Sequence, residues 1–234
     1  MNLRAVNRAT AACLLSLALV APAVAGIVIT GTRVVYPAQE REVTVKIDNR
    51  GDKPVLAQSW VDDGDADATP ETARAPFTIT PPVNRINPGK GQTLRLMYTG
   101  EPLPTDRESV FWLNVLEVPP MNKEKQNQLQ MAFRSRIKIF FRPSALAGDA
   151  NLAGQSVTWK KVSGGVEGTN PTPYYVSLAN IAEDKDGKKP IGNGGMIAPG
   201  GKTFFALSKN LATVYPSYIN DFGGINPLPQ PVAP

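Results

Sequence analysis

The chain has 234 residues, with 25 Lys+Arg against 20 Asp+Glu, one cysteine and no histidine. Without histidine, Ser-His-Asp and Cys-His catalysis, imidazole metal sites and the usual neutral-pH general base are excluded, and a lone cysteine cannot form an internal disulfide. The net charge of +5 is too mild to point to nucleic acid or an anionic membrane as partner; no cofactor and no metal are expected.

The first predicted element is a leader. Arg4 and Arg8 form a positive n-region, residues 11–20 an apolar run, and Ala23-Val24-Ala25 an A-x-A cleavage site. Residues 1–25 therefore read as a signal peptide, and the exported chain begins at Gly26. Cys13 lies in the leader. No later run approaches the roughly 18 apolar residues of a spanning helix, so no membrane insertion is expected.

From Gly26 onward, short β-rich runs alternate with Pro, Gly, Asn and Asp: IVITGTRVVY (27–36), EVTVKIDNRG (42–51), VLAQSWV (55–61), FTIT (77–80), TLRLMYTG (93–100) and SVFWLNVLEV (109–118). Such spacing predicts an antiparallel β-sandwich. The acidic segment Asp62–Ala75 reads as an exposed loop. Carboxylates such as its Asp62, Asp63 and Asp65 are candidates for carboxylate-only catalysis, but in a Gly/Asp-rich loop turn formation or weak cation binding explains them better.

The run QLQMAFRSRIKIFFRP (128–143) is unusual. Leu129, Met131, Phe133, Ile137, Ile139 and Phe141 share one parity, whereas Gln130, Arg134, Arg136 and Lys138 share the other. At ~3.3 Å per residue the stretch from Leu129 to Phe141 would extend about 43 Å, beyond the usual strand of 3–10 residues. A small domain cannot easily cover that much apolar strand. Arg134 and Arg136 read as ordinary solvated charges on a sticky edge.

After Arg142-Pro143 the composition changes, and a second β-rich series follows: VTWKKV (157–162), PYYVSLANI (173–181), MIAP (196–199), KTFFALS (202–208) and YPSYIND (215–221). Two domains are expected, residues 26–145 and 146–234. The closing NPLPQPVAP reads as a frayed tail, because its prolines disfavour a central strand.

Six stretches in register carry a resemblance: TRVVYP (32–37), ITPPVNRINPGKGQTLRL (79–96), DRESVFWLNVLEVPP (106–120), QMAFRSRIKIFFRP (130–143), NPTPYYVSL (170–178) and SYINDFGG (217–224). Together they resemble the PapD-like periplasmic chaperones of the chaperone–usher pathway. That resemblance implies an all-β chain of two immunoglobulin-like sandwiches set as an L around a cleft. It further implies a non-enzymatic protein of the periplasm that binds pilus (fimbrial) subunits by donor-strand complementation and delivers them to an outer-membrane usher.

The resemblance also implies roles for individual residues. Leu129, Met131 and Phe133 match the donated positions, whose alternate side chains fill a subunit's open groove while main-chain hydrogen bonds supply affinity. Burying three such side chains is worth about 1.5–3 kcal/mol each before ordering costs. Arg33 and Lys138 match the cationic pair that grips the subunit's C-terminal carboxylate. Arg95, Glu108 and Asp221 match an ion network tying the two domains together. An exposed apolar edge also implies a self-capping dimer of the free protein.

The absence of a disulfide departs from some relatives, and the short connection from Pro119-Pro120 to Gln128 resembles the subfamily serving rod-like, adhesin-tipped pili. A pilus structural subunit or adhesin is the alternative. Such a subunit should carry an alternating donor segment at its mature N-terminus and usually a disulfide.

Overall fold

The computed structural model describes residues 26–120, 129–228 and 230–231. The predicted leader and Gln128 lie outside them. The run 27–36 does not form one strand. Its first part, β1 (Ile27–Ile29), lies antiparallel on β3 (Val43–Asn49). A bend at Gly31, with φ of 93°, then lets β2 (Arg33–Pro37) cross to the opposite sheet; glycine takes that left-handed conformation without the steric cost of a Cβ.

The first sheet runs β1-β3-β7-β5, with β5 at Phe77–Thr80 and β7 at Gly91–Tyr98. The facing sheet runs β2-β9-β8-β4-β6, comprising β4 (Val55–Asp62), β6 (Val83–Ile86), β8 (Ser109–Val118) and β9 (Phe133–Arg142). Pro81-Pro82 carries the chain from β5 in one sheet to β6 in the other, a strand the sequence reading missed. Period-two alternation puts Val34, Tyr36, Ile47, Leu94, Leu96, Leu113 and Ile139 into the core between the sheets. Each such buried side chain contributes about 1.5–3 kcal/mol.

A second core forms around Trp159, Val166, Val176, Ile181, Ile197, Phe205 and Val214. One sheet is β10 (Thr158–Val162), β11 (Gly165–Thr169) and β14 (Lys202–Ala206). The other runs β13 (Pro190–Ile197), β12 (Val176–Ala182), β15 (Thr213–Ile219) and β16 (Ile225–Pro227), with β17 (Gln230–Pro231) also on β15. Strand β11, GVEGT, has no apolar alternation to betray it. At Gly168 a Cβ would lie 2.8 Å from Ile197 and 3.1 Å from Trp159, so the core around Trp159 demands the glycine.

Two loop expectations are corrected. Of the segment expected to fray, the described residues are ordered: β16 and β17 pair with β15, and Leu228 is buried. Pro227 is accommodated because β16 is an edge strand, where a missing N–H disrupts no ladder on the outer side. Nor is the start of the Asp62–Ala75 segment exposed, for Asp62 and Ala68 are both buried.

Candidate functional site

Strand β9 begins at Phe133, and Leu129–Ala132 precede it without a ladder partner among the described residues. On its inner side β9 pairs β8 throughout, from Glu117↔Phe133 to Ser109↔Phe141. On its outer side β2 pairs it in parallel only from Arg33↔Lys138 to Pro37↔Arg142. The backbone of residues 133–137 therefore faces no described strand on that side. Such an edge is a template for another chain.

Leu129, Met131 and Phe133 continue from this edge with 89%, 57% and 60% of their surface exposed. Ile139 and Phe141, of the same parity, are core, while Ile137 is half-buried against it. The long run thus divides: its second half fills this domain, and its first half is largely exposed among the described residues.

Arg33 and Lys138 sit side by side where the free edge ends. The Arg33 Nη1 donates to the carbonyl oxygen of Ile219 at 3.1 Å, and its guanidinium lies over the Phe140 ring, 5.9 Å from the centroid. Its buried Nε has no hydrogen-bond partner among the described residues. Burial pushes Arg33 below its ordinary value, partly opposed by Asp221. Burial likewise depresses Lys138, assisted by the positive charges of Arg33 and Arg136. The two half-buried cations are thus ladder neighbours, and neither makes an ion pair among the described residues; such a pair of donors suits an anionic group.

Beside them the two domains are clamped by charge. Arg142 Nε donates to Glu108 Oε1 at 2.6 Å, while Nη1 and Nη2 reach Asp221 at 2.8 and 2.9 Å. The backbone N–H of Tyr175 donates to Glu108 Oε2 at 2.7 Å, and Asp221 N–H donates to Asn151 Oδ1 at 3.1 Å. Burial pushes the Glu108 carboxyl up against the pull of Arg142, and the two carboxylates hold Arg142 cationic throughout the ordinary pH range.

Arg95, expected in this network, is not part of it. Leu94 and Leu96 point into the core, so Arg95 points outward from the other sheet, where it pairs with Glu42 at 2.9 Å. Arg142 holds the place instead. Its even spacing from Lys138 on β9 was the signal, since residues 138, 140 and 142 share one face. Phe140 is buried on that face, under Tyr175 of the second domain at a ring distance of 6.1 Å.

The other arginines of β9 are also engaged. Arg136 Nε and Nη2 both donate to Asp62, the former at 3.1 Å. Asn114 Nδ2 and Gly64 N–H donate to the same carboxylate at 2.7 and 2.8 Å. The Arg136 guanidinium stacks over Trp112, 4.7 Å from its centroid. Arg134 donates to the Ala66 carbonyl and lies over Trp60. These contacts pin the loop after β4 onto the outer face of β9 just beyond the exposed run.

Hydrogen bonds from Arg136, Asn114 and Gly64 outweigh burial and hold the Asp62 carboxyl below its ordinary value. Because the folded value is depressed, Asp62 stabilises the fold above the unfolded carboxyl range, about pH 4, and ceases to do so as pH falls through the folded value. Asp62→Asn should therefore unfold at lower temperature than the natural chain at pH 7, and the gap should close on acidification. A gap in melting temperature that stayed constant down to about pH 2 would contradict this.

An exposed apolar strand edge, running into two adjacent cations that make no ion pair among the described residues, marks the first domain of this two-sandwich, all-β protein. Residues 26–147 match the family model of the pili and flagellar-assembly chaperone, PapD N-terminal domain, and residues 153–230 that of the pili assembly chaperone PapD, C-terminal domain. The chain belongs to this family of pilus-assembly chaperones. It is 46% identical over 226 residues to the chaperone protein FimB/FhaD of Bordetella pertussis, covering 93% of each chain. Among solved structures it resembles the CupB2 chaperone of Pseudomonas aeruginosa, with TM-score 0.76 and 44% identity over 88% of this chain and 100% of that one. It also resembles a chain of the Salmonella enterica complex of SafA pilin with the SafB chaperone, with TM-score 0.78 and 28% identity over 91% and 99%.

Proposed function

We propose that this chain is an exported chaperone that acts by binding, not catalysis, in the periplasm. It lends Leu129, Met131 and Phe133 to the open groove of a pilus subunit and passes that subunit to an outer-membrane usher. Residues 26–145 form the subunit-binding domain and residues 146–234 its partner. Arg33 and Lys138 hold the subunit's C-terminal carboxylate, fixing where along the edge the strand pairs. The observation that carries this reading is the direct continuation of the exposed alternating edge into the half-buried cationic pair. The leader supports export, and the likeness to a chaperone solved with its pilin supports the partner class. When no subunit is present, a second copy caps the same edge.

The test is co-expression of a pilus subunit with Arg33→Ala and Lys138→Ala variants. Charge-assisted hydrogen bonds contribute roughly 1.5–3 kcal/mol each, so each variant should recover far less subunit complex. Thermal unfolding of the free variants should stay close to the natural chain, because neither side chain is core. Undiminished recovery in both variants would remove the carboxylate assignment.

A further inference from the structure

Gly26 opens the described chain beside Glu117. Glu117 projects from β8, and its Oε2 accepts the backbone N–H of Ile27 at 2.7 Å. The Gly26 carbonyl is held in turn by the Arg50 N–H at 3.0 Å. Both carboxylate oxygens of Glu117 occupy the space that a Cβ on Gly26 would need. The carboxylate therefore lies against the Gly26 Cα, and any side chain there would displace it. Among the described residues Glu117 makes no ion pair. A half-buried carboxylate turned onto a backbone Cα, with one amide donor, calls for a cation at the adjoining nitrogen.

We propose that Glu117 is the receptor for the α-ammonium of Gly26, a group that exists only after the leader is removed. The inference rests on the reading of Ala23-Val24-Ala25 as a cleavage site. Hydrolysis of the Ala25–Gly26 amide by water leaves a carboxylate on the leader and an amine on Gly26, protonated at neutral pH. Before the cut, the same nitrogen is a neutral amide carrying the leader. After it, an ion pair joins β1, in one sheet, to β8, in the other, across the open seam of the sandwich.

The location ties this pair to the donor edge. Glu117 lies directly opposite Phe133 in the β8–β9 ladder, and Gly26, Ile27, Glu117, Phe133 and Ser135 line one groove. The N-terminal pair thus sets the wall from which the lent strand departs, and processing completes it. Other charges around the site are Arg50, Asp52 and Lys53 from the turn after β3. Lys53, which lines the same groove, and Arg50 are the competing cations.

The test uses the exported, processed protein. Intact mass must start at Gly26; another start overturns the processing reading and the proposal with it, and is distinguishable from failure of the contact. The pH titration of the Gly26 13Cα shift then reports the amine. In the natural chain it should fall above the usual α-amino range of about 7.7–8.0, return to that range in Glu117→Gln, and stay displaced in Lys53→Ala. The amine value is raised in the folded state, so its stabilisation is present at neutral pH and lost as pH rises through that titration. Accordingly the melting-temperature gap between the natural chain and Glu117→Gln should close in alkali. An amine that titrates in the usual range in the natural chain, or identically in Glu117→Gln, overturns the proposal.

Discussion

Met131→Asp should leave thermal unfolding of the free protein near that of the natural chain while severely reducing subunit capture. Ile139→Asp, eight residues along the same strand face, should unfold the first domain. Met131 is 57% exposed and precedes the ladder, whereas Ile139 is fully buried between the sheets. A carboxylate at 139 would be buried without a partner, a cost of several kcal/mol against a total stability of about 5–15 kcal/mol. At 131 the cost arises only in the complex. It includes at least the roughly 1.5–3 kcal/mol of lost methionine burial, with an unpaired charge in a closed groove added. Melting curves and subunit pull-down on both variants are the measurements. If Met131→Asp melted as early as Ile139→Asp, the exposed run would be ordinary core and strand donation would fail.

Arg142→Met should be the most damaging change at the domain junction. It strands Glu108, which is 3% exposed, and removes the bidentate hold on Asp221. Leaving one partner of such a buried pair uncompensated costs about 3–5 kcal/mol. In the variant Glu108 keeps the upward push of burial and loses the pull of Arg142. A raised folded carboxyl value means the folded state holds its proton longer, so the variant's stability should decline as pH rises from about 4 to 7. Glu108→Gln added to Arg142→Met should recover part of the loss, a non-additive cycle showing coupling. Strict additivity would count against one network. Arg95→Ala should leave the junction unaffected, because among the described residues its ion pair is with Glu42, just before β3.

Much of the first domain was legible because its strands are half-buried and alternate, so each strand's own residues report which face is covered. The runs 42–51, 55–61, 77–80, 93–100 and 109–118 each coincide in large part with a strand of the structure. What escaped was held by something outside the segment. Strand β11 has too few apolar residues to alternate, and it exists because Trp159, Ile197 and Phe205 pack over its glycines and Val166. The C-terminal strands are read as tail in isolation, since only the unpaired edge of β15 makes their prolines acceptable.

The sequence by itself determined the class of the molecule. The lack of histidine removed chemistry that needs an imidazole, the strand periodicity set an all-β fold, and the apolar run before Phe133 was longer than one small domain readily covers. Only the tertiary structure decided which charges meet. Arg95 and Arg142 both lie in β-strands, but Arg95 pairs with Glu42 inside the first domain while Arg142, near the end of β9, reaches Asp221 of the second. Asp62 looked like loop acidity until Arg136 and Asn114 were brought across from β9 and β8. Periodicity records that a face is covered, and by its nature it is local. Which element covers that face depends on sheet order and domain docking, which join residues far apart in the chain.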